Sequence, residues 1–132
     1  MKKQVMVAGV LLLAFSVQAY ALSDARKGKR VFRNCKECHS VGIRADIKDG
    51  PPLNGVIGRK VASYKGFKYS KGMKKFSKTQ TVWDVESLNI YLLSPRGMIP
   101  KTYMKFKGLS SKDDIKYLII YLNQFNLDGS SK

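Results

Sequence analysis

An all-α domain is the fold class that this sequence predicts: three main helices, with long loops wrapped around one covalently bound group. Three observations predict it. Apolar residues recur at helical spacing in three separate segments, and strand-like alternation is weak throughout. The stretch from Gly42 to Thr81 has little periodicity and is punctuated by Gly50-Pro51-Pro52, Gly55, Gly58, Gly66 and Gly72. A loop of about forty residues is unusual in a compact domain unless it encloses something other than protein. Finally, both cysteines and the only histidine of the chain fall in five consecutive positions, Cys35-Lys36-Glu37-Cys38-His39.

The N-terminus comes first. Met1-Lys2-Lys3 is positively charged, Val5 to Val17 is apolar apart from Gly9 and Ser16, and Ala19-Tyr20-Ala21 is an A-x-A cleavage pattern. These features make residues 1–21 a secretory signal peptide cut after Ala21, and residues 22–132 one small domain. The competing reading, an uncleaved anchor, suffers from an apolar run too short for a comfortable membrane span. No cysteine lies near the cut to carry a lipid. Loss of Lys2 and Lys3 takes the net charge from +16 to +14.

In the first helix Ser23 is the expected cap, and Gly28, Val31, Phe32 and Cys35 share one face by their i, i+3, i+4, i+7 spacing. That face leads into the cysteine motif. Cys-x-x-Cys-His is the pattern of c-type haem attachment. Two thiols about one helical turn apart can add across the two haem vinyl groups, and the adjacent imidazole can bind the iron. Other readings fit less well. Zinc needs about four ligands, and two Cys and one His fall short of them. A thioredoxin-like pair expects a βαβ pattern that is missing. A plain disulfide leaves His39 unexplained, and export would favour one where thioethers survive.

Asp84 is the expected cap of the second helix, with Val85, Leu88, Tyr91 and Leu92 along its inner face and Pro95 ending it. Ser110 or Ser111 starts the third, with Asp113 and Asp114 in its first turn and Ile115, Leu118, Ile119 and Leu122 on one face. Between them lies Met104, past Pro100 on a loop bounded by Gly108. Met1 and Met6 leave with the signal peptide, Met73 sits in a Lys/Gly-rich loop and Met98 follows Pro95 closely. Met104 is therefore the methionine best able to bring a thioether over an open haem face. A thioether opposite histidine raises the reduction potential. It also fills the iron, which leaves electron transfer rather than chemistry on substrates.

Further blocks occur in a fixed order: Gly50-Pro51-x-Leu53, Gly55-x-x-Gly58-Arg59-Lys60, Gly66-Phe67-x-Tyr69-Ser70, Trp83, Tyr91-Leu92-x-x-Pro95, Ile99-Pro100-x-Thr102-x-Met104-x-Phe106-x-Gly108-Leu109 and Tyr121-Leu122. With the haem motif, this ordered set resembles the class I c-type cytochromes, mitochondrial-like and bacterial periplasmic, over nearly all of the mature chain. The resemblance implies one haem c held through Cys35 and Cys38, with His39 and Met104 as iron ligands. It implies that the Pro51 carbonyl orients His39 and that Tyr91 donates to the Met104 sulfur. Arg59, Tyr69, Trp83 and Thr102 would meet the haem propionates, and Phe106 would pack at the exposed haem edge. Gly28 and Phe32 would pack on Leu118 and Tyr121 where the first and last helices cross. For Tyr69, Trp83 and Tyr91 the competing reading is ordinary aromatic core. The chain departs from the family at Lys101 and Tyr103, where Gly and Lys are usual, and at Met73, where Asn is frequent. Residues Lys71 to Phe76 look inserted.

The resemblance implies a soluble, monomeric, periplasmic electron carrier and not an enzyme. It would shuttle single electrons between respiratory partners: a donor of the quinol–cytochrome c reductase type and a terminal oxidase or other reductase. The basic charge suits steering toward acidic partner proteins. Lys48, Lys101, Lys105 and Lys107 fall near the expected haem edge, and the Lys71 to Lys78 run could meet anionic membrane surfaces weakly. No nucleic-acid motif accompanies the charge. One alternative is a haem enzyme or sensor with a labile sixth ligand, peroxidase-like or gas-binding. Another is an electron-entry subunit of a larger dehydrogenase.

Overall fold

The computed structural model describes the backbone of residues 4–132 and side chains from Val17 onward. The all-α expectation holds. Among the described residues the only extended pairings are two isolated bridges, Lys60 with Val82 and Phe125 with Ser131. The positive region of the predicted signal peptide lies outside the described residues, as do the side chains of its apolar run up to Ser16.

Helix α1 spans Gln4–Val31. Ser23 lies inside it and does not cap it. Nothing from Gln4 to Val31 breaks a helix: there is no proline, and Gly9 and Gly28 are isolated. A 3-10 turn, Phe32–Asn34, tightens the end of α1. Its Phe32 carbonyl accepts from the Cys35 and Lys36 amides at 2.8 and 3.1 Å, so the cysteine motif begins as a continuation of the helix.

Within the long connection the sequence reading misses one element, α2, Lys71–Phe76. Ser70, buried at 3% exposure, caps it by accepting from the Met73 amide at 3.1 Å. Six residues with a glycine second give no readable period. Helix α3, Val85–Leu93, carries the expected Asp84 cap, with Ser87 completing a capping box. Leu88, Tyr91 and Leu92 face inward as expected, but Val85 is 52% exposed. It occupies the first helical position, at the outer end of the stripe. Pro95 opens a one-turn helix, α4, Pro95–Met98. Helix α5, Lys112–Leu122, is capped by Ser111.

Helices α1 and α5 cross where Gly28 permits. A Cβ there would collide with the Tyr117 carbonyl oxygen and lie 2.6 Å from the Tyr121 Cβ. One turn later Phe32 packs on Tyr121, ring centroids 5.5 Å apart. Lys27 bridges the same pair of helices, with its ammonium 4.6 Å from the Tyr117 ring centre. Ile115 and Leu118, each 1% exposed, complete the seam, and α3 lies beside α5. Each such aliphatic side chain contributes about 1.5–3 kcal/mol by leaving water. Among the described residues no helix is long and apolar enough to cross a membrane.

Candidate functional site

The long connection folds back to enclose a cavity of about 610 Å³ between it, α3 and α5. This lies within the range of roughly 300–1,000 Å³ usual for cofactor-sized ligands. Its floor is apolar, from Leu53, Val56, Leu88, Leu92, Leu118 and Leu122. Cys35, Cys38 and His39 line it from the end of α1. Met104, Thr102 and Phe106 line it from the segment after α4, and Pro51, Arg59, Tyr69, Trp83 and Tyr91 line the rest. Every site residue expected from the sequence borders this one cavity.

Each wall has a local cause. The Cys38 and His39 amides both donate to the Cys35 carbonyl, at 3.1 and 2.8 Å. This turn sets the two cysteines and the imidazole side by side. Both thiols are free; Cys35 is buried and Cys38 exposed. Burial, with Cys38 adding to it, pushes the Cys35 thiol up to about 11. His39 Nδ1 lies 2.7 Å from the Pro51 carbonyl. A carbonyl only accepts, so Nδ1 carries the proton and Nε2 keeps the free lone pair that a metal needs. The imidazole lies against Gly50, where a Cβ would overlap the ring. Burial lowers the His39 pKa while the Pro51 bond opposes it, and a neutral ring is the ligating form.

On α3, the Tyr91 hydroxyl donates to the Met104 sulfur at 3.2 Å. Burial raises the Tyr91 phenol above its ordinary value, so it remains a donor at neutral pH. The Met104 amide donates to Thr102 Oγ1 at 3.3 Å, and Thr102 donates from its amide to Ile99 at 3.2 Å. Trp83 stacks tilted between Tyr91 and Phe76, centroids 4.9 and 5.6 Å away.

Arg59 and Trp83 adjoin because two short backbone runs pair. The Gly58 amide donates to the Trp83 carbonyl at 2.7 Å and the Trp83 amide to the Arg59 carbonyl at 2.9 Å. Arg59 Nη1 donates to the Pro52 and Asn54 carbonyls, and its guanidinium lies 5.3 Å from the Tyr64 ring centre. Among the described residues the sole ion pair joins Lys27 to Asp24, so no carboxylate neutralises this half-buried cation. Tyr69 accepts from the Tyr64 amide at 3.1 Å and keeps its own proton.

The donor set fits a haem. Two thiols, an imidazole with a free Nε2 and a thioether border one apolar cavity, and a half-buried guanidinium without a carboxylate beside it suits an acidic substituent. It does not fit zinc, since among the described residues no group of three or more His, Cys, Asp or Glu side chains is arranged to hold a metal ion. Sequence reasoning missed Met73, which lines the cavity from α2. Its signal was Ser70, a capping residue followed by Lys-Gly-Met.

An all-α shell around one cavity with this donor set defines a haem-binding protein. The cytochrome c family model matches residues 25–126. The chain is 41% identical to cytochrome c2 of Blastochloris viridis over 127 residues, 96% of this chain and 98% of that one. It is 44% identical to cytochrome c2 of Afifella marina over 102 residues, 77% and 82% of the two chains. Cytochrome cH from Methylobacterium extorquens superposes with a TM-score of 0.68 at 32% identity, over 75% of this chain and 96% of that one. The chain belongs to the cytochrome c family. Membership implies a covalently bound haem c and a function in electron transfer, as a carrier and not an enzyme.

Proposed function

We propose that the chain is exported, cut after Ala21 and loaded with one haem c through Cys35 and Cys38, and that it carries single electrons between respiratory partners in the periplasm. His39 and Met104 are the iron ligands in this reading. The haem supplies reversible one-electron chemistry at a potential the protein sets. Pro51 holds the His39 ring in one orientation, as a neighbour of a metal ligand does. Tyr91 withdraws density from the Met104 sulfur by hydrogen bonding. Arg59, with Tyr69, Trp83 and Thr102, meets the propionates. Phe106 covers the exposed edge, and Lys48, Lys101, Lys105 and Lys107 around it meet an acidic partner. The protein works as a monomer, and the Lys71 to Lys78 run makes weak contact with anionic membrane at most.

The observation that carries this reading is the pair of short contacts on the two prospective ligands: 2.7 Å from His39 Nδ1 to Pro51 and 3.2 Å from Tyr91 to the Met104 sulfur. Each neighbour holds a side chain in the state that iron requires. Met104→Ala tests it. The variant should keep its haem through acid–acetone extraction, lose the weak near-infrared thioether-to-iron band, fall in potential and bind carbon monoxide when reduced. A variant that retains the band sinks the Met104 assignment.

A further inference from the structure

The turn that precedes Met104 rests on α2, a contact that the haem family pattern did not suggest. Gly72 is the second residue of that helix. A Cβ on Gly72 would collide with the Pro100 carbonyl oxygen and lie 3.1 Å from the Lys101 carbonyl carbon and 3.2 Å from that of Pro100. All three are backbone atoms, so no side-chain rotation could make room. The turn seated on Gly72 is itself unusual. Lys101 has φ +63°, one of two non-glycine residues at positive φ among the described residues. L-residues adopt that conformation only when the surroundings hold them there.

The two ends of the segment carrying Met104 are fixed. Ile99 is buried at 1% exposure, and its carbonyl accepts from the Thr102 amide. At the other end the Leu109 amide donates to the Leu92 carbonyl at 2.8 Å, and Gly108, φ +115°, lies against the Leu93 carbonyl where a Cβ would overlap it. Between fixed ends, a push at Pro100–Lys101 has few places to go except along Thr102 to Met104. Ser70 holds the other side of the seat by capping α2 from a buried position.

We propose that Gly72 is a positioning residue for Met104: the bare backbone of α2 is the seat on which the Pro100–Lys101 turn rests, and that seat sets the reach of the thioether toward the iron. The proposal rests on Met104 being the sixth ligand. Because a methyl has no room at Gly72, the sixth ligand is sensitive to a residue outside the Met104 segment itself.

The test uses the full-length haem-loaded protein and Gly72→Ala, with Gly42→Ala as the comparison. Gly42 also has positive φ, +99°, but nothing within 4 Å of its Cβ position, so its substitution strains the backbone without a collision. Gly72→Ala should weaken or abolish the near-infrared thioether band, lower the potential and bind imidazole roughly tenfold more tightly, because the open form becomes more populated. Gly42→Ala should lower thermal stability and leave band and imidazole affinity unchanged. Adding Lys101→Gly to Gly72→Ala should restore part of the band, since glycine lets the turn move aside. An unchanged band and imidazole affinity in Gly72→Ala overturns the proposal, as does equal loss in Gly42→Ala. Should Gly72→Ala fail to fold, hydrogen exchange of the unsubstituted protein decides: the Lys74 and Thr102 amides should open together. Protection of Thr102 that outlasts the opening of α2 overturns it. If the unsubstituted protein has no thioether band at all, the ligand assignment fails and the proposal falls with it; a band indifferent to Gly72 removes this proposal alone.

Discussion

Tyr91 reaches Met104 from α3 with a single hydrogen bond of 3.2 Å, and the same ring stacks on Trp83 at 4.9 Å. The two contacts have different consequences on removal. Tyr91→Phe keeps the ring and loses only the hydroxyl, so it should cost about 0.5–1.5 kcal/mol of unfolding free energy. On the proposed ligation it should keep the near-infrared band and shift the potential downward, since an unassisted sulfur donates more density to oxidised iron. Denaturant unfolding and a redox titration on the same preparation check both halves. At the same scale, Arg59 shows why the pocket suits an acidic group. It is lodged among carbonyls from Pro52 and Asn54, and burial lowers its pKa without a carboxylate to offset the loss of water. A cation held by acceptors alone is costly to desolvate. Haem carboxylates beside it would reverse that cost in the loaded protein.

The crossing of α1 and α5 is the element on which the shell depends. Gly28 lets the two backbones approach until the position of a Cβ is taken by the Tyr117 carbonyl. Gly28→Ala must therefore separate the helices, and overpacking of this kind costs about 1–3 kcal/mol. Chemical denaturation should show this loss with haem attachment intact, because the cysteine turn after α1 remains. An unchanged midpoint would mean that the crossing relaxes freely. The two helices were legible from their apolar spacing, but their crossing came only from the family resemblance, which pairs Gly28 and Phe32 with Leu118 and Tyr121. Legible too were α3 and the start of α5, which announce themselves through Asp84 and Ser111. The start of α1 was not, because Ser23 looks like a cap only if the residues before it are absent. Helix α2 was not legible either. Its inward residues, Met73 and Phe76, are a single i, i+3 pair, which states no period. The cavity could be anticipated from the haem motif alone, but the contribution of Met73 to its wall could not, since a methionine in a Lys/Gly-rich run reads as surface. Val85 was misread because a stripe on a helix surface turns outward at its first residue, where no further turn lies beneath it.

At the scale of the whole molecule, charge and cavity act together. The chain carries 25 basic and 9 acidic residues, and between Gly50 and Trp83 it has eight lysines and arginines and no acidic residue. Lys105 lines the cavity beside Phe106, while Lys101 and Lys107 are exposed nearby. On the proposed function, a positive field beside the cavity would steer an acidic partner to it. The rate of electron exchange with such a partner should fall by about an order of magnitude or more as the Debye length shortens from about 30 Å at 0.01 M salt to about 8 Å at 0.15 M. Stopped-flow mixing across that range measures it, and charge reversal at Lys101 or Lys105 should slow exchange more than reversal at Lys29 on α1. A rate indifferent to salt would remove electrostatic docking from the account. On the proposed function, one covalent haem held by His39 and Met104 carries single electrons. An optical redox titration of the haem-loaded protein, recorded through the near infrared, tests it most directly. A single one-electron wave at positive potential is expected, with a thioether band that is present in the oxidised form and vanishes on reduction. Oxidised protein without that band, binding carbon monoxide avidly once reduced, would contradict it.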